Sequence, residues 1–249
     1  MEGNPLKLSV IVPSIRPQNL LKLYNSIDIE DFEMIVIGPE IPMTATECSG
    51  KIKVITSHRR PNAAQQQGLL QATGDYITFA ADDGIFLPGA LDYAMSMAEE
   101  RTIVVGKYLE GNEPHLDMEK EDYYRFKYHK AYRINGVPQN GVIFNCGIIS
   151  RNLICELGGW DCQFEATTMA HADLGIRAKK RGAEMVLMDQ PMFKCSHQPG
   201  KSGDHKPIHE AMKRDIKTFS KIYASPNDRQ VINIDNWKNT EEKWRRRFR

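Results

Sequence analysis

Asp82 and Asp83 stand side by side directly after the strand-like run Tyr76-Ile77-Thr78-Phe79-Ala80. A buried strand does not end in two carboxylates unless something positive meets them. Mg2+ and Mn2+ are hard cations that take oxygen ligands and keep open positions for phosphate oxygens, so a strand-end carboxylate pair suits either. The alternative is a solvated Asp-Asp-Gly turn, because Asp and Gly favour turns on their own account. Residues 84–89 then read as a loop that closes on a new helix.

Other chemistry-bearing residues are spread along the chain. Arg16, just past the first strand, reaches a phosphate or sits on a helix surface. The segment 197–206 combines glycines with His197, Lys201, His205 and Lys206, a composition suited to a diphosphate; a flexible polar linker is the alternative. Asp204 equally suits the cap of a helix starting near Pro207. Asp173 and Arg177 are one helical turn apart and form an i,i+4 pair. Cys195, near His197, is read as packing rather than as a metal ligand.

The elements that must hold these residues alternate between strand and helix. Residues 6–12 form a strand stopped by Pro13, and 16–27 carry Leu20, Leu21, Leu23, Tyr24 and Ile27 at helical spacing. A second strand over 32–37 ends at Gly38-Pro39, and a third covers 51–56. A helix over 63–72 stops at Thr73-Gly74, before the strand that leads to Asp82-Asp83. A helix over 89–100 and a strand over 102–108 follow. This alternation predicts an α/β fold with a mostly parallel sheet and helices on its faces. Ligands of such sheets bind outside the carboxyl ends of the strands. Pro13-Ser14, Gly38 and Asp82-Asp83 all sit at such ends, so three strand ends point at one crevice.

The second half is less regular. Residues 113–137, with Tyr123, Tyr124, Tyr128 and Tyr132, read as a surface excursion holding one helix at most. Residues 141–150 read as an antiparallel hairpin or strand pair, Gly158-Gly159-Trp160-Asp161 as a turn, 168–181 as a helix, 183–187 as a strand and 208–223 as a helix.

Composition narrows the class. The 249 residues are 41% hydrophobic and 26% charged, ordinary for a globular chain with a sizeable core. A formal net charge of +1 does not point to nucleic acid. No apolar run approaches the ~18 residues of a membrane span, and the N-terminus lacks the charged-then-apolar pattern of a signal peptide. The five cysteines, Cys48, Cys146, Cys155, Cys162 and Cys195, are odd in number and contain no C-x-x-C pair. That argues against a disulfide framework or a zinc knuckle and for a reducing, cytoplasmic setting. The basic C-terminal end, interleaved with Trp244 and Phe248, reads as a solvated helix end, with weak contact to an anionic membrane surface or an acidic partner as the functional alternative.

Four segments, in this order and spacing, carry a resemblance. They are Ser9-Val10-Ile11-Val12-Pro13-Ser14; Asn62 to Leu69 together with Ala72-Thr73-Gly74-Asp75-Tyr76-Ile77; Asp82-Asp83 with Pro88; and Gly158-Gly159-Trp160-Asp161 with His171-Ala172-Asp173-Leu174, Arg177 and Gly182. Over residues 6–181 the chain resembles the inverting family 2 glycosyltransferases of the GT-A fold.

The resemblance implies a Rossmann-like, mostly parallel GT-A sheet with a smaller antiparallel acceptor-side region. It implies one domain over 1–225, with about 1–110 binding the nucleotide sugar and about 111–225 facing the acceptor, and a polar, basic tail over 226–249. It implies a UDP- or GDP-linked donor and a glycan, lipid-linked or protein acceptor. Pro13, Ser14, Arg16, Gly38, Asn62, Gln65, Asp82, Asp83 and His205 fall on the donor side, and Asp83, Asp82 and His197 on the metal, Mn2+ or Mg2+. The tyrosine-rich segment becomes an alternative aromatic wall for a sugar acceptor.

The chemistry suits these residue types. A nucleoside diphosphate gains negative charge as it leaves, and a divalent cation on Asp83, with Asp82 alongside, neutralises it. The attacking hydroxyl needs a base. The resemblance puts that base on His171-Ala172-Asp173, with His171 where the family has its first aspartate. Both residues are candidates: a histidine, ordinarily of pKa about 6.5, accepts a proton unaided, whereas Asp173 is also placed to brace Arg177. Three departures stand out. Ile37-Gly38-Pro39 lacks the aspartate that binds uracil in the family, Gln65 replaces its usual arginine, and Ala81 stands where many relatives have a first aspartate. They keep a catalytically inactive binding module in play. A nucleotidyltransferase is the third class, against which the glycine-free stretch 13–18 counts.

Overall fold

Leu8–Pro13 (β1) and Phe32–Gly38 (β2) are buried along almost their whole length. Runs of this kind belong in the middle of a parallel sheet covered on both faces. The structure, a computed structural model, describes residues 7–42, 50–110, 125–127, 133–134, 137–138, 140–142, 146–195 and 206–223. Outside these lie His197, Lys201, Asp204, His205, Cys48, the four tyrosines of the 113–137 segment and the C-terminal tail.

Ile52–Thr56 (β3), Tyr76–Phe79 (β4), Gly84–Phe86 (β5), Thr102–Glu110 (β6), Gly147–Ser150 (β11) and Glu184–Cys195 (β12) complete an eight-stranded sheet of order β3-β2-β1-β4-β11-β6-β12-β5. The pairings β3-β2, β2-β1, β1-β4 and β6-β12 are parallel, whereas β11 is antiparallel to both neighbours and β5 is antiparallel to β12. Four short strands stand apart: Arg125–Lys127 (β7) pairs with Asn140–Val142 (β10), and Arg133–Ile134 (β8) with Val137–Pro138 (β9). This is the expected mostly parallel α/β sheet with an antiparallel part.

Three local expectations change. Residues 84–86, expected as loop, are strand because β12 offers them an edge, with Gly84 opposite Cys195. The 141–150 segment is not one hairpin: its first part pairs with β7, and its last part enters the main sheet between β4 and β6. The strand expected over 183–187 runs on to Cys195, with register shifts around Pro191 that keep it beside β6.

Helices cover both faces. Pro17–Asn19 forms a 3-10 turn into Leu20–Tyr24 (α1), and with Ala90–Ser96 (α3) it packs on Leu8, Val10 and Val12. Pro61–Leu69 (α2), Arg151–Glu156 (α4), Thr167–Lys180 (α5) and Lys206–Tyr223 (α6) cover Ile11, Ile35, Ile37 and Ile77. The two faces of β1 and β2 follow the strand period of two. Pro61 opens α2 at a position where proline suits a helix start. The Ser150 hydroxyl accepts from the Leu153 N–H at 3.0 Å and caps α4, a helix not expected from the sequence.

Candidate functional site

Four parallel strands end on one side of the sheet, and a pocket of about 400 Å³ opens there. Pro13, Ser14 and Arg16 reach it from the end of β1, Gly38 and Pro39 from β2, Ser57 and Arg59 from β3, and Asp82 and Asp83 from β4. Gln65 of α2 and Thr167, Thr168 and His171 of α5 also line it, as do Phe193 and Cys195 at the end of β12.

Asp82 is held by the turn that follows β1. Its Oδ2 accepts from the Ser14 hydroxyl at 3.1 Å and from the N–H groups of Ile15 at 2.8 Å and Arg16 at 2.7 Å. Its Oδ1 accepts from Arg16 Nη1 at 2.6 Å. The same Arg16 nitrogen lies 3.5 Å from Asp83 Oδ2. Three donors fill Oδ2 of Asp82, since a carboxylate offers only about four lone-pair positions in all. Asp82 therefore fastens the 14–16 turn, and Asp83 is the better carboxylate to offer a cation. Among the described residues no group of three or more His, Cys, Asp or Glu side chains converges. The donor set still fits a hard cation that takes its other ligands from phosphate oxygens and water.

Gly38 has a steric reason. A Cβ there would lie 2.2 Å from the Ser14 carbonyl oxygen and 2.9 Å from Ile41 Cδ1. The Ser14 N–H donates to Ile37 O, and the Ser57 N–H donates to Gly38 O, both at 2.8 Å. The strand ends are drawn so close that no side chain fits, and Ser57 and Arg59 supply the polar groups at this end of the pocket.

His171 is buried and meets Gln65, with 3.1 Å between Nε2 and Gln65 Oε1. Its ring packs edge-on against Phe79 at 4.4 Å and lies 6.0 Å from Trp160. Asp173 does not line the pocket. It is fully buried, accepts from Arg177 Nε at 2.8 Å and from the Tyr223 hydroxyl at 2.6 Å, and thereby ties α5 to α6. Arg177 also donates to the carbonyls of Leu157 and, at 2.7 Å, Gly159. This spans the Gly158-Gly159 turn, whose residues take φ of 84° and 70°. Gln66 fastens the same turn by accepting from the Trp160 N–H at 2.8 Å.

Asn62 also lies off the pocket. Its amide donates to the carbonyls of Asp161 at 2.9 Å and Phe164 at 3.0 Å, joining α2 to the segment before α5. The pocket thus brings together Pro13, Ser14, Arg16, Gly38, Gln65, Asp82, Asp83 and His171, and leaves out Asn62 and Asp173. Ser57 and Arg59 were not among the expected site residues. Their signal was available, since they follow a fourth strand end. Burial pushes the thiol of Cys146, another lining residue, up to about 12, so it stays protonated.

A family model described as glycosyl transferase family 2 matches residues 9–158. The GalNAc(5)-diNAcBac-PP-undecaprenol beta-1,3-glucosyltransferase of Campylobacter jejuni subsp. jejuni serotype O:2 is 35% identical over 108 residues. That match takes in 38% of this chain and 35% of the relative, so the chain matches only about a third of the relative's length. Among solved structures, S. aureus TarS 1-349 superposes with a TM-score of 0.58 at 16% identity, covering 90% of this chain and 67% of that one. The same segment in complex with UDP-GlcNAc gives 0.58 at 16%, covering 90% and 68%. Longer TarS gives 0.58 at 14%, covering 97% of this chain and 43% of that one. At these identities the likeness is one of fold.

Proposed function

The chain belongs to glycosyl transferase family 2, and on that premise we propose that it moves a sugar from a nucleotide-sugar donor to an acceptor hydroxyl, with a divalent cation and with inversion at the reacting carbon. The observation that carries this reading is the meeting, in one pocket at the strand ends, of the Asp82-Asp83 pair with His171. One domain over 1–225 performs the reaction, with about 1–110 on the donor side, about 111–225 on the acceptor side and 226–249 as a tail.

A cation held by Asp83, Mn2+ or Mg2+, supplies Lewis-acid stabilisation of the departing diphosphate. Asp82 keeps Ser14, Ile15 and Arg16 in place at the phosphate end. His171 takes the proton of the acceptor hydroxyl. The 3.1 Å contact between Nε2 and Gln65 Oε1 orients the imidazole in the pocket. Attack assisted from the face opposite the diphosphate inverts the carbon in one displacement. Asp173 acts through Arg177 and Tyr223 by fixing the helix that presents His171.

The donor is UDP- or GDP-linked; the UDP-GlcNAc complex of a structural relative supports the first. The PP-undecaprenol acceptor in the name of the Campylobacter relative favours a lipid-linked acceptor over a free glycan or a protein. Among the described residues no helix is long and apolar enough to cross a membrane. The basic tail gives weak contact with the membrane surface where such an acceptor resides, on its cytoplasmic side.

A panel of UDP- and GDP-sugars incubated with Mn2+ and water tests the reading. Slow release of nucleoside diphosphate from one donor is the expected result. Binding without release indicates an inactive module, and pyrophosphate-linked exchange indicates a nucleotidyltransferase.

A further inference from the structure

We propose that Arg16 is a built-in counterion of the aspartate pair, displaced when a divalent cation binds, so that cation and donor diphosphate bind cooperatively. This rests on the reading of Asp83 as the cation ligand. One Arg16 nitrogen lies 2.6 Å from Asp82 Oδ1 and 3.5 Å from Asp83 Oδ2, so a single positive group serves both carboxylates. It lies on the Oδ2 side of Asp83, where a cation taken by that oxygen would meet it. Two positive groups cannot share that position in a partly buried pocket, where charges repel more strongly than in water.

The guanidinium is able to leave. Ser14 Oγ and the N–H groups of Ile15 and Arg16 hold the other oxygen of Asp82, so the turn does not depend on the Arg16 side chain. That side chain is 20% exposed, against 5% and 9% for the two aspartates, and it lines the pocket rather than the core. Once off Asp83 it needs a new negative partner. A diphosphate entering the same pocket provides one, and guanidinium N–H groups match phosphate oxygens in pairs. The cation thus frees the arginine for the nucleotide, and the nucleotide holds the arginine away from the cation. Linkage makes this coupling equal in both directions.

The test is Mn2+ titration of the full chain, read from the paramagnetic resonance of free Mn2+, with and without uridine diphosphate or guanosine diphosphate. Without nucleotide, Arg16→Gln is expected to bind Mn2+ about 10-fold tighter than wild type, a coupling of ordinary size. Arg16→Met, a second neutral variant, should do the same, and Arg16→Lys should stay near wild type. Nucleoside diphosphate should tighten Mn2+ binding strongly in wild type and much less in the neutral variants. Equal or weaker Mn2+ binding in both neutral variants overturns the counterion role. If wild type with either nucleotide holds no Mn2+, or Asp83→Asn leaves that binding unchanged, the cation site itself fails. Melting temperatures without ligand confirm which variants are folded.

Discussion

His171 and Asp173 are two residues apart on one helix, yet they meet different surroundings. His171 lines the pocket beside Gln65, whereas Asp173 is enclosed by Arg177 and Tyr223. Residues two apart on a helix do not share a face, so the spacing told that only one could readily reach a substrate. It could not tell which, because that depends on where α6 packs. With His171 as base, His171→Ala reduces transfer by ~10²–10⁴-fold at unchanged donor affinity. Asp173→Asn lowers the melting temperature and leaves transfer per folded molecule much closer to wild type. Steady-state rates per folded molecule, alongside thermal melts, separate the two roles. The acidic pair itself was legible from its position after an apolar strand, whereas its hold on the 14–16 turn was not, since the donors are backbone N–H groups.

At the scale of elements, α6 sets the position of α5. Asp215 is buried and accepts from the N–H of Glu165 at 2.9 and 3.0 Å and of Ala166 at 2.7 Å, just where the chain enters α5. These two N–H groups lie just ahead of the helix and have no partner within it, and a carboxylate at a helix N-terminus interacts favourably with the helix dipole. Arg214 adds a paired contact to Glu165, with N–O distances of 3.0 and 2.8 Å. The sequence shows an α6 of the right length and apolar spacing. It does not show this cap, because the capping side chain comes from 49 residues away. Asp215→Ala should cost about 1–3 kcal/mol, the expected loss when buried donors lose a charged partner. It should also reduce transfer, because Thr167, Thr168 and His171 are carried on the turns it fastens. Tyr223→Phe, which removes a hydrogen bond at the other end, should cost about 1 kcal/mol and change transfer little. Denaturant titration and rates per folded molecule check both.

Across the whole molecule, the sheet is what strand–helix alternation predicted, and its antiparallel members were the harder part. β5 and β11 are short strands whose direction is set by partners far along the chain. One buried acid ties the parallel half together. Glu33 accepts from Ser9 Oγ at 2.7 Å and from Thr73 N and Oγ at 2.6 and 2.7 Å, and it pairs with Lys53 at 2.6 Å. Burial alone would raise its carboxyl, but hydrogen bonds from Lys53, Thr73 and Ser9 prevail and bring it from 4.5 to about 2. Its stabilising contribution is therefore complete above about pH 4.5 and is lost as the pH falls toward 2. Glu33→Gln should lower stability at pH 7 by about 1–3 kcal/mol, and its unfolding midpoint should vary less between those pH values than that of wild type. The central claim, a sugar transferase working through a cation at Asp83, is tested most directly by nucleoside diphosphate release from the preferred nucleotide sugar in Mn2+, compared between wild type and Asp83→Ala. The account predicts release by wild type and a loss of at least ~10²-fold in a variant that melts as wild type does, the size expected when charge on a leaving group goes unmet. Release by Asp83→Ala at the wild-type rate would contradict it.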